Sequence, residues 1–171
     1  MISPFEQWRP QIEMGVFIAS SAEVIGQVTI GEYSSIWHQS VLRGDVEAIH
    51  IGARTNIQEH CTLHTSYQRT PCVIGDDVTV GHRVILHGCE IQSNCLVGMG
   101  SIIMDQAVME CGSLLAAGSL VTEGKILKSG FLYAGSPAKE IRPLKAKERE
   151  FLLISAKRYM ELAQKYHQEE S

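Results

Sequence analysis

The sequence predicts a left-handed parallel β-helix of hexapeptide repeats, a triangular prism, followed by a single C-terminal α-helix. Three observations carry this reading. An aliphatic residue returns at every sixth position from Ile18 to Leu127 with few interruptions, the fifth position of each row is usually small, and glycine favours the second or fourth. A helix cannot account for a period of six so rich in glycine and β-branched residues.

The rows open on Ile18, Val24, Ile30, Ile36 and Leu42, then on Ile51, Ile57 and Leu63, then on Ile74, Val80 and Leu86. They continue with Ile91, Val97, Ile103, Met109, Leu115, Val121 and Leu127. Each row is one short strand and a turn, and three rows make one coil. The large heads point inward, and stacking of coils supplies a core that no single coil could bury. Three register breaks interrupt the pattern. Leu42 to Ile51 is nine residues, Leu63 to Ile74 is eleven, and Leu86 to Ile91 is five. These predict about three extra residues after Leu42, a short loop over Thr65–Cys72 that leaves the prism, and one residue lost after Leu86. After Leu127 the rows fade into Lys128–Pro137. Leu144 to about His167 then reads as an amphipathic helix whose apolar side carries Phe151, Ile154, Tyr159, Leu162 and Tyr166. It is expected to lie against the prism or a neighbouring subunit and to cover open strand edges. The chain of 171 residues is read as one domain, with the β-helix over about 12–132 and the helix over about 144–167.

Composition narrows the class. The net charge of −4 and the lack of a Lys/Arg-rich run argue against nucleic acid or an anionic membrane as partner. The N-terminus lacks a basic stretch followed by an apolar one, and no apolar run is long enough to span a bilayer. The five cysteines contain no CxxC pair and read as buried reduced thiols, so a cytoplasmic location is expected.

Histidines are the candidate chemistry. His64 and His87 each stand second in a row, and their rows are one full coil apart. Their rings should therefore stack side by side, about 4.8 Å apart along the coil axis. Arg43 falls in the same column one coil lower. His82 stands third in the row headed by Val80, on a different face. Three neutral imidazoles with a fourth position left for water suit a catalytic zinc, yet one chain cannot bring these three together. A threefold ring of heterologous contacts can, so a homotrimer with a metal at each interface is expected. His38, His50, His60 and His167 are read as surface residues. Imidazole ligands suit Zn2+ by default, with Fe2+ or Co2+ as alternatives.

The motifs Leu42-Arg43-Gly44-Asp45, Asn56-Ile57-Gln58-Glu59, Leu63-His64, Val80-Gly81-His82 and Leu86-His87-Gly88-Cys89 resemble those of the gamma-class carbonic anhydrases, especially small bacterial relatives. Tyr133-Ala134-Gly135-Ser136-Pro137-Ala138-Lys139 is also typical of these, and the likeness runs from Gly15 to the terminal helix. The resemblance implies that His64 and His87 are metal ligands from one subunit and His82 the ligand from its neighbour. It makes Arg43 and Asp45 a pair that ties subunits together near the metal. It makes Gln58 the residue that hydrogen-bonds the metal-bound water, with Asn56 its neighbour, Tyr159 a tyrosine at the pocket and Glu59 an acidic position. The implied reaction is hydration of carbon dioxide to bicarbonate, by water whose pKa the metal lowers to about 7.

The chain departs from the family pattern at the acids that move protons out of the site. Thr65–Cys72 carries no carboxylate, and Val46 stands at the other expected acidic position. Three other functions share the scaffold: a metal-dependent acyl-CoA thioesterase, a metal-free hexapeptide acyltransferase with a histidine base, and a noncatalytic binding protein.

Overall fold

A computed structural model describes residues 1–67 and 70–169, without the side chain of Glu169. It is a parallel β-solenoid of about seven turns closed by a C-terminal helix. The predicted heads form three vertical columns. One stacks Val24, Leu42, Leu63, Leu86, Ile103 and Val121. The second stacks Ile30, Ile51, Ile74, Ile91, Met109 and Leu127. The third stacks Ile18, Ile36, Ile57, Val80, Val97 and Leu115. Apart from the partly exposed Ile18, every one is buried. At about 1.5–3 kcal/mol for each large aliphatic side chain fully removed from water, these columns are the main source of stability.

The repeat outlasts its visible signal. Tyr133 continues the third column directly above Leu115, so the prism does not fade after Leu127. Its ring is buried and its hydroxyl accepts from the Lys128 N–H, which lets an aromatic residue close the narrowing end of the core. Phe131–Ala134 then pairs antiparallel with Lys139–Pro143, ending the parallel stack. At the other end, Ile2–Ser3 and Gln11–Ile12 pair in parallel with the strand Glu23–Ile30.

The register breaks shape the surface while leaving the columns intact. Within the strand Val41–Ile51, pairing steps from Gly26↔Gly44 to Val28↔Ile49, so residues 45–47 bulge outward. The excursion over Thr65–Cys72 is narrower than its length suggests. Thr65 is buried and donates to the Glu47 carbonyl, and Cys72 is a buried residue of the strand Cys72–Ile74. Gln68 and Arg69, at the centre of that expected loop, lie outside the described residues. The five-residue row turns its corner through Gly88 alone, at a φ of 52° that favours glycine.

The helix Ala146–Glu169 begins with Glu148 accepting from the Lys145 N–H, one half of a capping box. Its packed face differs in part from the expected one, although Tyr159 packs on Trp37 as part of it. Leu152, Ser155, Ala156 and Ala163 are buried, whereas Phe151, Leu162 and Tyr166 are exposed. Small residues win because they let the helix axis approach the flat sheet closely, which bulky ones would prevent. The helix lies across the face formed by Phe17–Ile18, Ser35–Ile36, Asn56–Ile57 and Thr79–Val80, so it covers a sheet face rather than a strand edge. Among the described residues, no helix is long and apolar enough to cross a membrane. All five cysteines are free; four are buried but Cys111 is exposed, because it stands at a turn and not at a small inward position. Burial pushes the Cys61 and Cys95 thiols up to about 12, so they are inert filling at neutral pH.

Candidate metal centre

His64 and His87 sit on one corner of the prism, paired across adjacent coils as the spacing predicts. Their ring centroids are 5.2 Å apart, and His64 Nδ1 faces His87 Nε2 at 3.2 Å. The outer nitrogen of each ring meets a carboxylate. His64 Nε2 lies 3.0 Å from Asp45 Oδ1, and His87 Nδ1 lies 2.9 Å from Asp105 Oδ2. Asp45 reaches its histidine because the bulge after Gly44 carries it outward, and Arg43 donates to its other oxygen within the same chain.

The two carboxylates determine what the rings can do. Burial would raise the Asp45 carboxyl, but hydrogen bonds from Arg43 and His64 outweigh it and lower it from the ordinary range. Burial acts the same way on Asp105 and is likewise outweighed, first by the hydrogen bond from His87 and then by the nearby Ser66 hydroxyl. Ionised carboxylates only accept, so each outer ring nitrogen carries the hydrogen. With both rings in their neutral form, the facing nitrogens, 3.2 Å apart, would both present lone pairs. Such a pair calls for a cation between them. Nitrogens on one tetrahedral zinc, with Zn–N of about 2.0–2.1 Å, stand about 3.3 Å apart. His64 is held below the ordinary imidazole range by burial first, and by the positive charge of Arg43, against the pull of Asp45. The neutral form is the one that ligates. This corner therefore fits two ligands of a divalent metal.

His82 occupies a different corner. The column there runs His38, Glu59, His82, one coil apart each, as the ladder bonds from His60 to His38 and from Arg83 to Glu59 record. Glu59 Oε2 lies 2.6 Å from His82 Nδ1, which leaves Nε2 as the outward nitrogen. Beside it, Gln58 is buried and donates from Nε2 to Asn56 Oδ1 at 3.1 Å. Asn56 in turn donates to Thr79 Oγ1 at 3.1 Å, and Thr79 donates to Ser155 of the helix at 3.0 Å. With its amide nitrogen turned to Asn56, Gln58 has its carbonyl oxygen as the remaining acceptor. Tyr159 stands edge-on to Trp37 at 5.6 Å; burial first, and the charge of Glu59, raise its phenol. Gln58, His82, Phe151 and Tyr159 line a mostly apolar groove of about 410 Å³ between helix and prism. A shallower cavity of about 560 Å³ adjoins it, lined by Glu59, His60, His82, Arg83, Met99 and Gly100.

The structure thus sorts the expected residues into two sets. Arg43, Asp45, His64 and His87 come together on one corner, and Asn56, Gln58, Glu59, His82 and Tyr159 gather around the other. Among the described residues, no three metal-ligating side chains converge within a single chain. Of the histidines read as surface residues, His50, His60 and His167 are exposed, whereas His38 is half-buried between Ser21 and Tyr166. Asp105 was missed by the sequence reading. Counting one coil onward from the pair Leu86↔Ile103 would have placed it over Gly88, beside His87.

No protein-family model matches the chain. It is 44% identical over 97% of its length to a carbonic anhydrase of Geobacillus kaustophilus, covering 91% of that protein. It is also 44% identical over 95% of its length to the mitochondrial gamma carbonic anhydrase 2 of Arabidopsis thaliana, spanning 60% of that longer protein. Among solved structures, it matches a hexapeptide transferase family protein from Anaplasma phagocytophilum with a TM-score of 0.93 and 49% identity, covering 96% of this chain and 97% of that one. The chain belongs to the gamma-class carbonic anhydrases.

Proposed function

We propose that this chain is a metal-dependent carbonic anhydrase, hydrating carbon dioxide to bicarbonate at sites completed between the subunits of a homotrimer. The observation that carries the reading is the pair of imidazole nitrogens facing each other at 3.2 Å, each ring backed by a carboxylate, with the third candidate ligand held by its own carboxylate on another corner. An apolar strip beside His64 and His87 supports burial against a second copy: Ile85, Ile102 and Met104 are 40%, 39% and 38% exposed.

His64 and His87 of one subunit and His82 of the next would hold the metal, Zn2+ by default and Fe2+ or Co2+ by the same donors. A bound metal supplies the Lewis acidity that lets water give up a proton near neutral pH. The chain's own residues do the rest. Gln58, fixed by Asn56, presents its carbonyl oxygen to accept a hydrogen from the attacking water, orienting it without removing its proton. Tyr159 and the apolar groove exclude bulk water from that side. Asp45, Asp105 and Glu59 orient the three rings and fix which nitrogen of each faces outward. Arg43 keeps Asp45 ionised and, with it, forms the charged seam facing the neighbouring subunit. The loop over Thr65–Cys72 offers no carboxylate to carry the proton away, so turnover limited by proton release is expected. Four buried free thiols suit a reducing, cytoplasmic location.

The test combines elemental analysis of gently purified protein, its mass in solution, and stopped-flow hydration. A trimer with one metal per chain and measurable hydration over about pH 6–9 is the expected result. Metal without hydration would remove the proposed reaction. The groove of about 410 Å³ favours one second reading, hydrolysis of an acyl thioester at the same centre. Release of free thiol from acyl-CoA substrates distinguishes the two.

A further inference from the structure

We propose that Asp105 is a positioning residue that fixes which nitrogen of His87 is offered to a metal, and that Gly88 is the gap that lets it reach. The proposal rests on the metal-centre reading and assigns coordination through Nε2 of His87 and Nδ1 of His64.

Asp105 stands third in the row headed by Ile103, one coil above Gly88. Asp105 is buried, and its Oδ2 accepts from His87 Nδ1 at 2.9 Å, with the Ser66 hydroxyl nearby. Its other oxygen, Oδ1, is buried and meets no hydrogen-bond partner among the described residues. That arrangement has no rationale in folding alone. A buried carboxylate with an unsatisfied oxygen is costly, and an apolar side chain would pack at the same place more cheaply. Asp45 makes the contrast plain, because its two oxygens are shared between Arg43 and His64. The return for keeping Asp105 is control of a neighbouring ring. An acceptor at Nδ1 forces the hydrogen there and turns the bare Nε2 toward His64, as outer acceptors on metal-ligating histidines do.

Gly88 makes the contact possible. A Cβ placed on it would lie 2.5 Å from Asp105 Oδ1, and its φ of 52° already disfavours any side chain. The five-residue row removes the turn residue that other coils carry at this corner, and the next coil's carboxylate settles into the space. The shortening of the row and the carboxylate over it are thus one device.

The test measures zinc affinity of the full chain by competition with a chromophoric chelator. Nitrogen-15 NMR of the metal-free protein reads the His87 tautomer, which a merely structural role would not set. Asp105→Leu should weaken zinc binding about 10–100-fold and abolish the Nδ1–H preference of His87. Asp105→Asn, nearly isosteric and still an acceptor, should keep the tautomer with a smaller loss, and remains informative if the leucine variant misfolds. Gly88→Ala should move both readouts in the direction of Asp105→Leu. Parent-like zinc affinity in Asp105→Leu, with the tautomer unchanged, overturns the proposal. His87→Ala separates the two levels of the reading. If it loses zinc while Asp105→Leu does not, the positioning role alone fails; if it too binds zinc normally, the metal centre fails with it.

Discussion

The two corners that carry the candidate chemistry are built on opposite plans. At the His64/His87 corner, two imidazoles face each other with charged groups behind them: Asp45, Asp105 and Arg43. At the His82 corner a single imidazole stands beside amides, a phenol and an apolar groove. The first corner is a product of register edits, a three-residue bulge below and a five-residue row above. The second lies on unbroken six-residue rows and draws its distinctive surroundings from the helix laid over it. Neither corner holds three ligands. In the proposed function, one would supply most of the cation binding, and the other the group that orients a water and the surface that excludes the rest. The division is what the proposed function requires: on that reading an assembly, not a chain, is the unit of function.

The most severe way to break that pairing is to damage one corner at a time. His82→Ala and His87→Ala trimers should each lose hydration by at least about 100-fold, since either change leaves two ligands at every site. Mixing the two variant chains before assembly should restore activity. If an intact site takes His64 and His87 from one chain and His82 from its neighbour, random mixing leaves about a quarter of the sites whole. Stopped-flow assays on refolded mixtures read this directly. Mixtures as inactive as either parent variant would mean that the corners do not meet.

Gln58→Ala addresses the second corner alone. Because Gln58 is not a ligand, metal content should stay near that of the parent while kcat falls about 10–100-fold, the range for losing one preorganised polar group. A matching loss of metal would place Gln58 on the binding side and blur the distinction between the corners.

A smaller comparison separates the edited coils from the regular ones. Gly88 and Gly112 both turn corners at positive φ, 52° and 69°. Nothing lies within 4 Å of a Cβ built on Gly112, whereas Asp105 blocks the same position on Gly88. Both alanine variants should lose about 1–2 kcal/mol from the strained conformation, measured by chemical denaturation of the metal-free protein. Only Gly88→Ala should also displace a carboxylate from His87. Equal behaviour in zinc binding would show that the short row is a packing accident.

These cases show why some features could be read from the sequence and others could not. The inward heads were legible because a triangular prism admits only aliphatic residues there, and a fixed period lets one count coils. That counting put His64 beside His87 and His82 elsewhere. Asp105 escaped because an isolated aspartate at a turn position gives no signal of its own, although the same counting places it over Gly88 beside His87. Tyr133 hid its place in the third column because aromatic heads are rare in the rows before it. The helix face was misjudged for a different reason. Hydrophobic spacing pointed to Phe151 and Leu162, but close approach to a flat sheet selects Ser155, Ala156 and Ala163. The expected face would have held only if area buried, not distance of approach, decided the packing.

The smallest expected effect concerns how the helix is fastened over the His82 corner. Glu148 accepts from Arg142 through both oxygens, at 2.8 and 2.7 Å, and caps the Lys145 N–H at 2.8 Å. The Arg142 hydrogen bond first, and the cap second, lower its carboxyl from 4.5 to about 2. A carboxyl depressed in the folded state stabilises it above the unfolded pKa, and that contribution is lost as pH falls through the folded value. Glu148→Gln should therefore melt below the parent at neutral pH, with the gap closing between about pH 4.5 and about pH 2. Thermal melts across that window read the effect. The helix carries Tyr159 and Ser155 but no part of the His64/His87 corner, so the variant should loosen one corner and spare the other. Reduced hydration with parent-like zinc affinity is the expected signature. Zinc affinity that falls in step with the melting temperature would show that the two corners are mechanically one.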